Sequence, residues 1–210
     1  MASMQYFPEI LALVVGLTMH EFVHALVGHK LGDNTAKAEG RLTINPIAHI
    51  DPFATLILPL GLILLGSPIV FAAAKPVPFN PWALKHGKWG AAMVAAAGPV
   101  TNLVIAVIAA VIYHFVPYTL FGSSILGSMI LINVALFIFN LIPFPPLDGS
   151  RVLYAMVSVH TRDIMDRIEG GGLAAIGMFV LLLYFTPLGG LMNGAILFVV
   201  NLLTPVPASL

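Results

Sequence analysis

Apolar residues fall in long runs at about 8 to 29, 54 to 74, 91 to 116, 125 to 142, 168 to 186 and 188 to 204, while the polar stretches at 30 to 53, 75 to 90 and 147 to 167 hold nearly all the charge. An α-helix rises 1.5 Å per residue, so roughly 20 residues cross about 30 Å of hydrocarbon. Several runs reach that length and the last two are marginal. The pattern predicts an all-α polytopic membrane protein with about five transmembrane helices and a further apolar segment at 54–74. Pro59, Gly61, Gly66 and Pro68 interrupt that segment. Proline removes an amide donor and glycine loosens a helix, so a re-entrant path buried against protein fits it as well as a sixth span does. GRLTINP before it reads as a short extended piece. AKPVPFNP after it, with prolines at 76, 78 and 81, cannot be helical. Both predict irregular or strand-like backbone close to the membrane surface. No connector is long enough for a soluble domain and no repeat is evident, so residues 1–210 are expected to form a single domain.

Composition supports this reading. Of 210 residues, 59% are apolar and 9% charged, with a mean hydropathy of +0.99. A soluble domain carries about 25% charged residues, so the polar surface here is too small to cover a water-facing globule. Nine Lys and Arg balance nine Asp and Glu, which removes the case for nucleic acid as a partner. There is no Cys, so a metal would have to be held by His, carboxylate or water. The first Lys or Arg is Lys30. The N-terminus therefore lacks the basic region of a cleavable signal peptide, and the first apolar segment is expected to stay in the protein.

The first helix contains His20-Glu21-Phe22-Val23-His24. Residues four apart share a helix face, so both imidazoles can reach one metal ion with Glu21 beside its open position. The alternative, two histidines bonded across helices and Glu21 paired with a cation, leaves an acid and two bases in the bilayer at a cost of several kcal/mol. A catalytic zinc takes three protein ligands and leaves a fourth position for water, so a third ligand must come from another helix. Asp148, Asp51 and His114 are the candidates. Asp148 is preferred, because Pro143, Pro145, Pro146 and Gly149 free the backbone around it from helix geometry.

LTMHEFVHAL at 17–26, AAAGPVTN at 95–102 and FNLIPFPPLDGSRVL at 139–153, in that order, resemble the site-2 proteases, a family of intramembrane zinc metalloproteases. GDNTAKAEGRLTINPIAHIDP and AKPVPFNP are similar to a compact bacterial or archaeal branch without an accessory domain. The resemblance implies one Zn2+ per chain held by His20, His24 and Asp148, with Glu21 as general base and acid. It implies Asn140 near the bound substrate, and Gly98 and Pro99 as the place where the third helix packs closely on the active-site helix. It runs across about the first 155 residues, so a catalytic core over about 8–155 is expected, and the last two apolar runs are expected to follow it as a C-terminal helical pair over about 168–204. The activity it implies is hydrolysis of peptide bonds in or near transmembrane segments of other membrane proteins. The chain departs from many relatives in lacking a helix before the His-Glu motif and in having the run at 54–74.

Orientation is argued from charge. If 54–74 spans, Lys30, Lys37 and Arg41 face one side and the other six cations the opposite side; if it is re-entrant, all nine share one side. The second arrangement obeys the positive-inside rule and makes the first and fourth long runs parallel, which a shared metal demands. The expectation is an outside N-terminus, a cytoplasmic C-terminus and a site nearer the cytoplasmic face. Among the other polar residues, His29, His49, His86 and His160 read as solvated or capping groups. Asn102, Asn133, Asn193 and Asn201 read as interhelical hydrogen-bond partners, and Trp82 and Trp89 as interfacial anchors. A metal-ion or proton transporter using the buried His, Glu and Asp is the competing function. No paired halves with matching broken helices are visible.

Overall fold

Helix α1 (Phe7–Lys30) opens at Pro8, whose missing amide costs nothing in a first turn, and carries Glu9 in its first turn and Lys30 in its last, charges that complement the helix dipole. The computed structural model describes residues 6–50, 75, 77–115 and 120–204. The 54–74 segment, with its choice of path, lies outside the described residues, as does Asp51. After α1 come a single turn, α2 (Thr35–Ala38), and a 3-10 turn at Pro46–His49 whose Ile47 amide donates to the Asn45 side chain. Then follow α3 (Lys88–Phe115), α4 (Leu120–Asn140), α5 (Asp148–Met156), α6 (Val159–Gly170), α7 (Leu173–Phe185) and α8 (Leu188–Leu203).

Among the described residues three helices are long and apolar enough to cross a membrane: α1, α3 and the 123–140 part of α4. These match the runs at 8–29, 91–116 and 125–142. The run at 168–186 folds differently. It begins inside the charged helix α6, and after the glycines at 170–172, where Gly172 has φ of 53°, the chain bends by 100° into α7. The bent pair would be a fourth span if it crosses as one unit. With 13 and 16 residues, α7 and α8 fall short of the roughly 20 that a straight crossing takes. No strand occurs among the described residues. At 41–45 and 77–80 the backbone is irregular, the other form that the proline content allowed.

Helix α3 packs on α1, α4 and α5, and α4 also packs on α1 and α8. Small residues make the close approach possible: Ala106, Ala109 and Ala110 of α3 meet Ile130 and Val134 of α4 and Ile196 of α8. Side-chain pairings give the directions. Asn102 lies beside Gly16 and His20, and Val94 beside His24 and Gly28, so α3 runs antiparallel to α1. Asn133 lies beside Gly16 while Asp148, just past α4, meets His20 and His24, so α1 and α4 are parallel.

Polarity is distributed as lipid requires. Val100, Val104, Val107, Ile108, Val111 and Ile112 face outward from α3, whereas Thr18, His20, Glu21, His24, Asn102 and Asn133 are buried. Water would favour the reverse; hydrocarbon tolerates this arrangement only if the buried polar groups satisfy one another. The chain is a multi-pass membrane protein. At the C-terminal end of α1, residues 31–49 and 75–85 are laced together. Lys75 N–H donates to His49 O (2.9 Å), Lys85 N–H to Leu31 O (2.8 Å) and Asn80 N–H to Asp33 Oδ2 (2.6 Å), and the Arg41 guanidinium donates to Lys75 O. Trp82 and Trp89 stand exposed at this end, Trp89 beneath the Lys88 ammonium.

Candidate metal centre

His20 and His24 lie one turn apart on the face of α1 turned toward α3 and α5, and both are buried. The irregular backbone of 141–147 carries the chain back from α4 to open α5 at Asp148, where the helix dipole favours a carboxylate. Its Oδ2 stands 3.1 Å from His20 Nε2 and 3.3 Å from His24 Nε2, and the two Nε2 atoms are 2.9 Å apart.

The far sides of the imidazoles decide what these atoms are. His24 Nδ1 lies 2.7 Å from the Val94 carbonyl, which can only accept, so Nδ1 carries the hydrogen. His20 Nδ1 lies 2.7 Å from Asn102 Oδ1 and is a donor for the same reason. In the neutral rings both Nε2 atoms are then lone pairs. Asp148 Oδ2 is a third acceptor, buried and without a hydrogen-bond partner. Three acceptors converging with no hydrogen among them repel unless a cation joins them. Their separations suit zinc bonds of about 2.0–2.2 Å, and two imidazoles with one carboxylate are a zinc donor set. These three residues are the group of His and acidic side chains, among the described residues, able to hold a metal ion.

Glycine at 98 makes the room. A Cβ there would run into the Nε2 atoms of both histidines. Beside the cluster, Glu21 is buried and its Oε2 accepts the Val77 amide at 3.1 Å. Asn140, the last residue of α4, is half-buried and donates Nδ2 to Leu136 O of its own helix at 3.0 Å. His114 donates to Ala110 O toward the far end of α3 and takes no part in the cluster. His29 pairs with Asn34, His49 is buried against Thr43 O, and His86 and His160 are exposed. Asn102, expected as an interhelical hydrogen-bond partner, has the more particular place behind His20. Its spacing of one helical turn from Gly98 is the signal that puts it on the metal-facing side.

A helical membrane bundle that gathers two histidines, a carboxylate and a second buried carboxylate in its interior is the architecture of a membrane metallohydrolase. The profile of peptidase family M50 matches residues 118–184, the part that contains Asn140 and Asp148. YwhC of Bacillus subtilis, designated a candidate zinc metalloprotease, is 38% identical over 86% of this chain and 81% of its own length. Rip2 of Mycolicibacterium smegmatis, with the same designation, is 29% identical over 83% of this chain and 65% of its own. A zinc metalloprotease of Methanocaldococcus jannaschii is 27% identical over 70% of this chain and 33% of its own. No solved structure matches significantly. The chain belongs to peptidase family M50, the site-2 proteases, in their compact form.

Proposed function

We propose that this protein is an intramembrane endopeptidase that cleaves peptide bonds in or near transmembrane segments of other membrane proteins, with His20, His24 and Asp148 as zinc ligands, Glu21 as general base and acid, and Asn140 as a substrate-binding group. The observation that carries the reading is the convergence of two Nε2 lone pairs and an unpartnered carboxylate oxygen within 3.3 Å, in the interior of a membrane bundle, beside the buried carboxylate of Glu21. A hydrolase needs a general base beside its metal ligands, and the buried Glu21 carboxylate, held by the Val77 amide, is placed for that role.

Zinc, when bound, supplies Lewis acidity toward the scissile carbonyl and toward water. The protein's own groups do the rest. The Glu21 carboxylate takes a proton from the attacking water and returns it to the amide nitrogen as the C–N bond breaks, leaving a carboxyl and an amine terminus. The Val77 amide fixes the direction of that carboxylate. Asn140 can release Leu136 O and donate Nδ2 to a substrate carbonyl. The substrate must arrive unwound, since a helix ties up its carbonyls in hydrogen bonds.

The whole chain, 1–210, acts as one domain, with its catalytic core over about 8–155 and a helical pair over about 168–204 completing about five spans. The N-terminus lies outside, the C-terminus in the cytoplasm and the site nearer the cytoplasmic face. The hydrogen bond between Lys75 and His49 supports a chain that returns at 75 to the side it left. The cations at 30–41, 75–88 and 151–167 then lie at one end of the parallel pair α1 and α4. The test is zinc content and cleavage of a co-expressed transmembrane substrate in His20→Ala, His24→Ala and Asp148→Ala. Each is expected to lose most metal and all cleavage; full zinc in either histidine variant would overturn the assignment.

A further inference from the structure

Asn102 and Asn133 are fully buried, lie on different helices, and are joined to each other. Asn102 Nδ2 donates to Gly16 O at 3.1 Å and to Asn133 Oδ1 at 2.9 Å, and Asn133 Nδ2 donates to Met129 O at 2.9 Å. The two outer partners are backbone carbonyls, which accept and never donate. Turning the Asn102 amide over would set its oxygen against Gly16 O. Turning both amides would also set Asn133 Oδ1 against Met129 O. The polarity of the pair is therefore locked at each end by the backbone, and Asn102 Oδ1 is left facing His20 Nδ1 at 2.7 Å. That oxygen accepts only a tautomer with hydrogen on Nδ1, which leaves Nε2 as a lone pair toward Asp148 and His24. Gly16 completes the arrangement, since a Cβ there would lie 2.8 Å from Asn133 Oδ1.

We propose that Asn133, which touches neither the metal ligands nor their ion, is a positioning residue for the metal centre: through Asn102 it fixes the Nδ1–H tautomer of His20 and so the zinc affinity. The inference rests on the reading of His20 as a zinc ligand. Groups that hold a ligating histidine from behind set ligand basicity and orientation, and their loss typically costs roughly 10- to 100-fold in metal affinity. Here the hold passes through two amides before it reaches a fixed backbone carbonyl on α4. It ties α1, α3 and α4 to one tautomer.

The experiment measures zinc affinity of the full chain in detergent by competition with a chelator, with zinc as the only added ligand, beside thermal unfolding of the metal-free forms. Asn102→Leu and Asn133→Leu should bind zinc more weakly, the second by about tenfold. Asn133→Asp should bind close to wild type. A carboxyl kept neutral by burial donates its O–H to Met129 O and accepts the Asn102 amide, reproducing the original polarity. Wild-type affinity in Asn133→Leu overturns the proposal, and so does an equal loss in Asn133→Leu and Asn133→Asp, since restoring the hydrogen-bond polarity would then restore no affinity. If Asn133→Leu fails to fold, nitrogen-15 spectra of the zinc-loaded wild type decide. His20 should show a protonated Nδ1 and a metal-bound Nε2; an unprotonated Nδ1 overturns the idea. Zinc retained by His20→Ala would mark failure of the ligand assignment itself, a result separable from the other two.

Discussion

Gly98 of α3 lies against the imidazole of His20 so closely that a Cβ added to it would stand 2.6 Å from Nε2, and closer still to Nε2 of His24. The position is defined by what it must not contain. Gly98→Ala should push both rings off the metal or α3 off α1. Overpacking of this kind costs typically about 1–3 kcal/mol in stability. The larger expected effect is on zinc, which should fall well below one per chain with cleavage abolished. Elemental analysis of the purified variant checks this; a fully loaded, active Gly98→Ala would show that the two helices can part without cost.

Glu21 and Asn140 should separate chemistry from metal binding. Glu21→Gln keeps the shape and can still accept the Val77 amide, but it cannot take a proton. Zinc should stay near wild type while turnover falls by about 10²- to 10⁴-fold, the usual contribution of a general base. Asn140→Ala should keep zinc and lose only part of the turnover, because Leu136 O is the partner its amide gives up. Zinc content measured beside cleavage in both variants is the check. Substantial turnover in Glu21→Gln would refute the base role, and metal loss in Asn140→Ala would move that residue to the support of the site.

The lacing of 31–49 to 75–85 places both segments at one end of the bundle, and the proposed sidedness can be tested there. Single cysteines are easily read in a protein that has none. In intact cells, Ser124→Cys near the start of α4 should react with a membrane-impermeant thiol reagent, whereas Glu39→Cys and Lys85→Cys, both at the opposite end, should be protected until the membrane is opened. Opposite labelling of positions 39 and 85 would contradict the hydrogen bonds between Lys85 and Leu31 and between Lys75 and His49.

The convergence of the three candidate ligands was legible in sequence because helical spacing alone puts His20 and His24 on one face, and because the prolines before Asp148 forbid a continued helix. The long spans were legible from length. The break at 170–172 was not: three glycines within an apolar run leave its hydropathy intact while removing the side chains that would hold a helix straight, and the charged α6 then joins what reads as one span. Asn102 and Asn133 were visible only as polar residues in apolar helices. Which partner each takes depends on how three helices are rotated against one another, and no local pattern encodes that. The same holds for Val77, whose amide reaches Glu21 across 56 residues of chain.

Asp33 gives a pH dependence that can be measured without substrate. Just beyond α1, its carboxylate accepts Thr35 Oγ1 at 2.6 Å, Thr35 N–H at 2.9 Å and Asn80 N–H at 2.6 Å. Burial alone would raise its pKa, but these hydrogen bonds to the charged form outweigh it and hold the carboxyl below the ordinary carboxylate value. The sign follows. With a folded pKa lower than the unfolded one, the stabilisation is complete above about pH 4 and is lost as pH falls through the lowered folded value. Asp33→Asn keeps one acceptor oxygen but turns an N–H against Thr35 or Asn80, so it should cost about 1–3 kcal/mol at neutral pH. Thermal unfolding of both proteins from about pH 7 down to about pH 3 should show the difference between them shrinking only in the acid limb. A difference that stays constant across that range would mean that the Asp33 charge contributes nothing to tying the 75–80 segment to the end of α1.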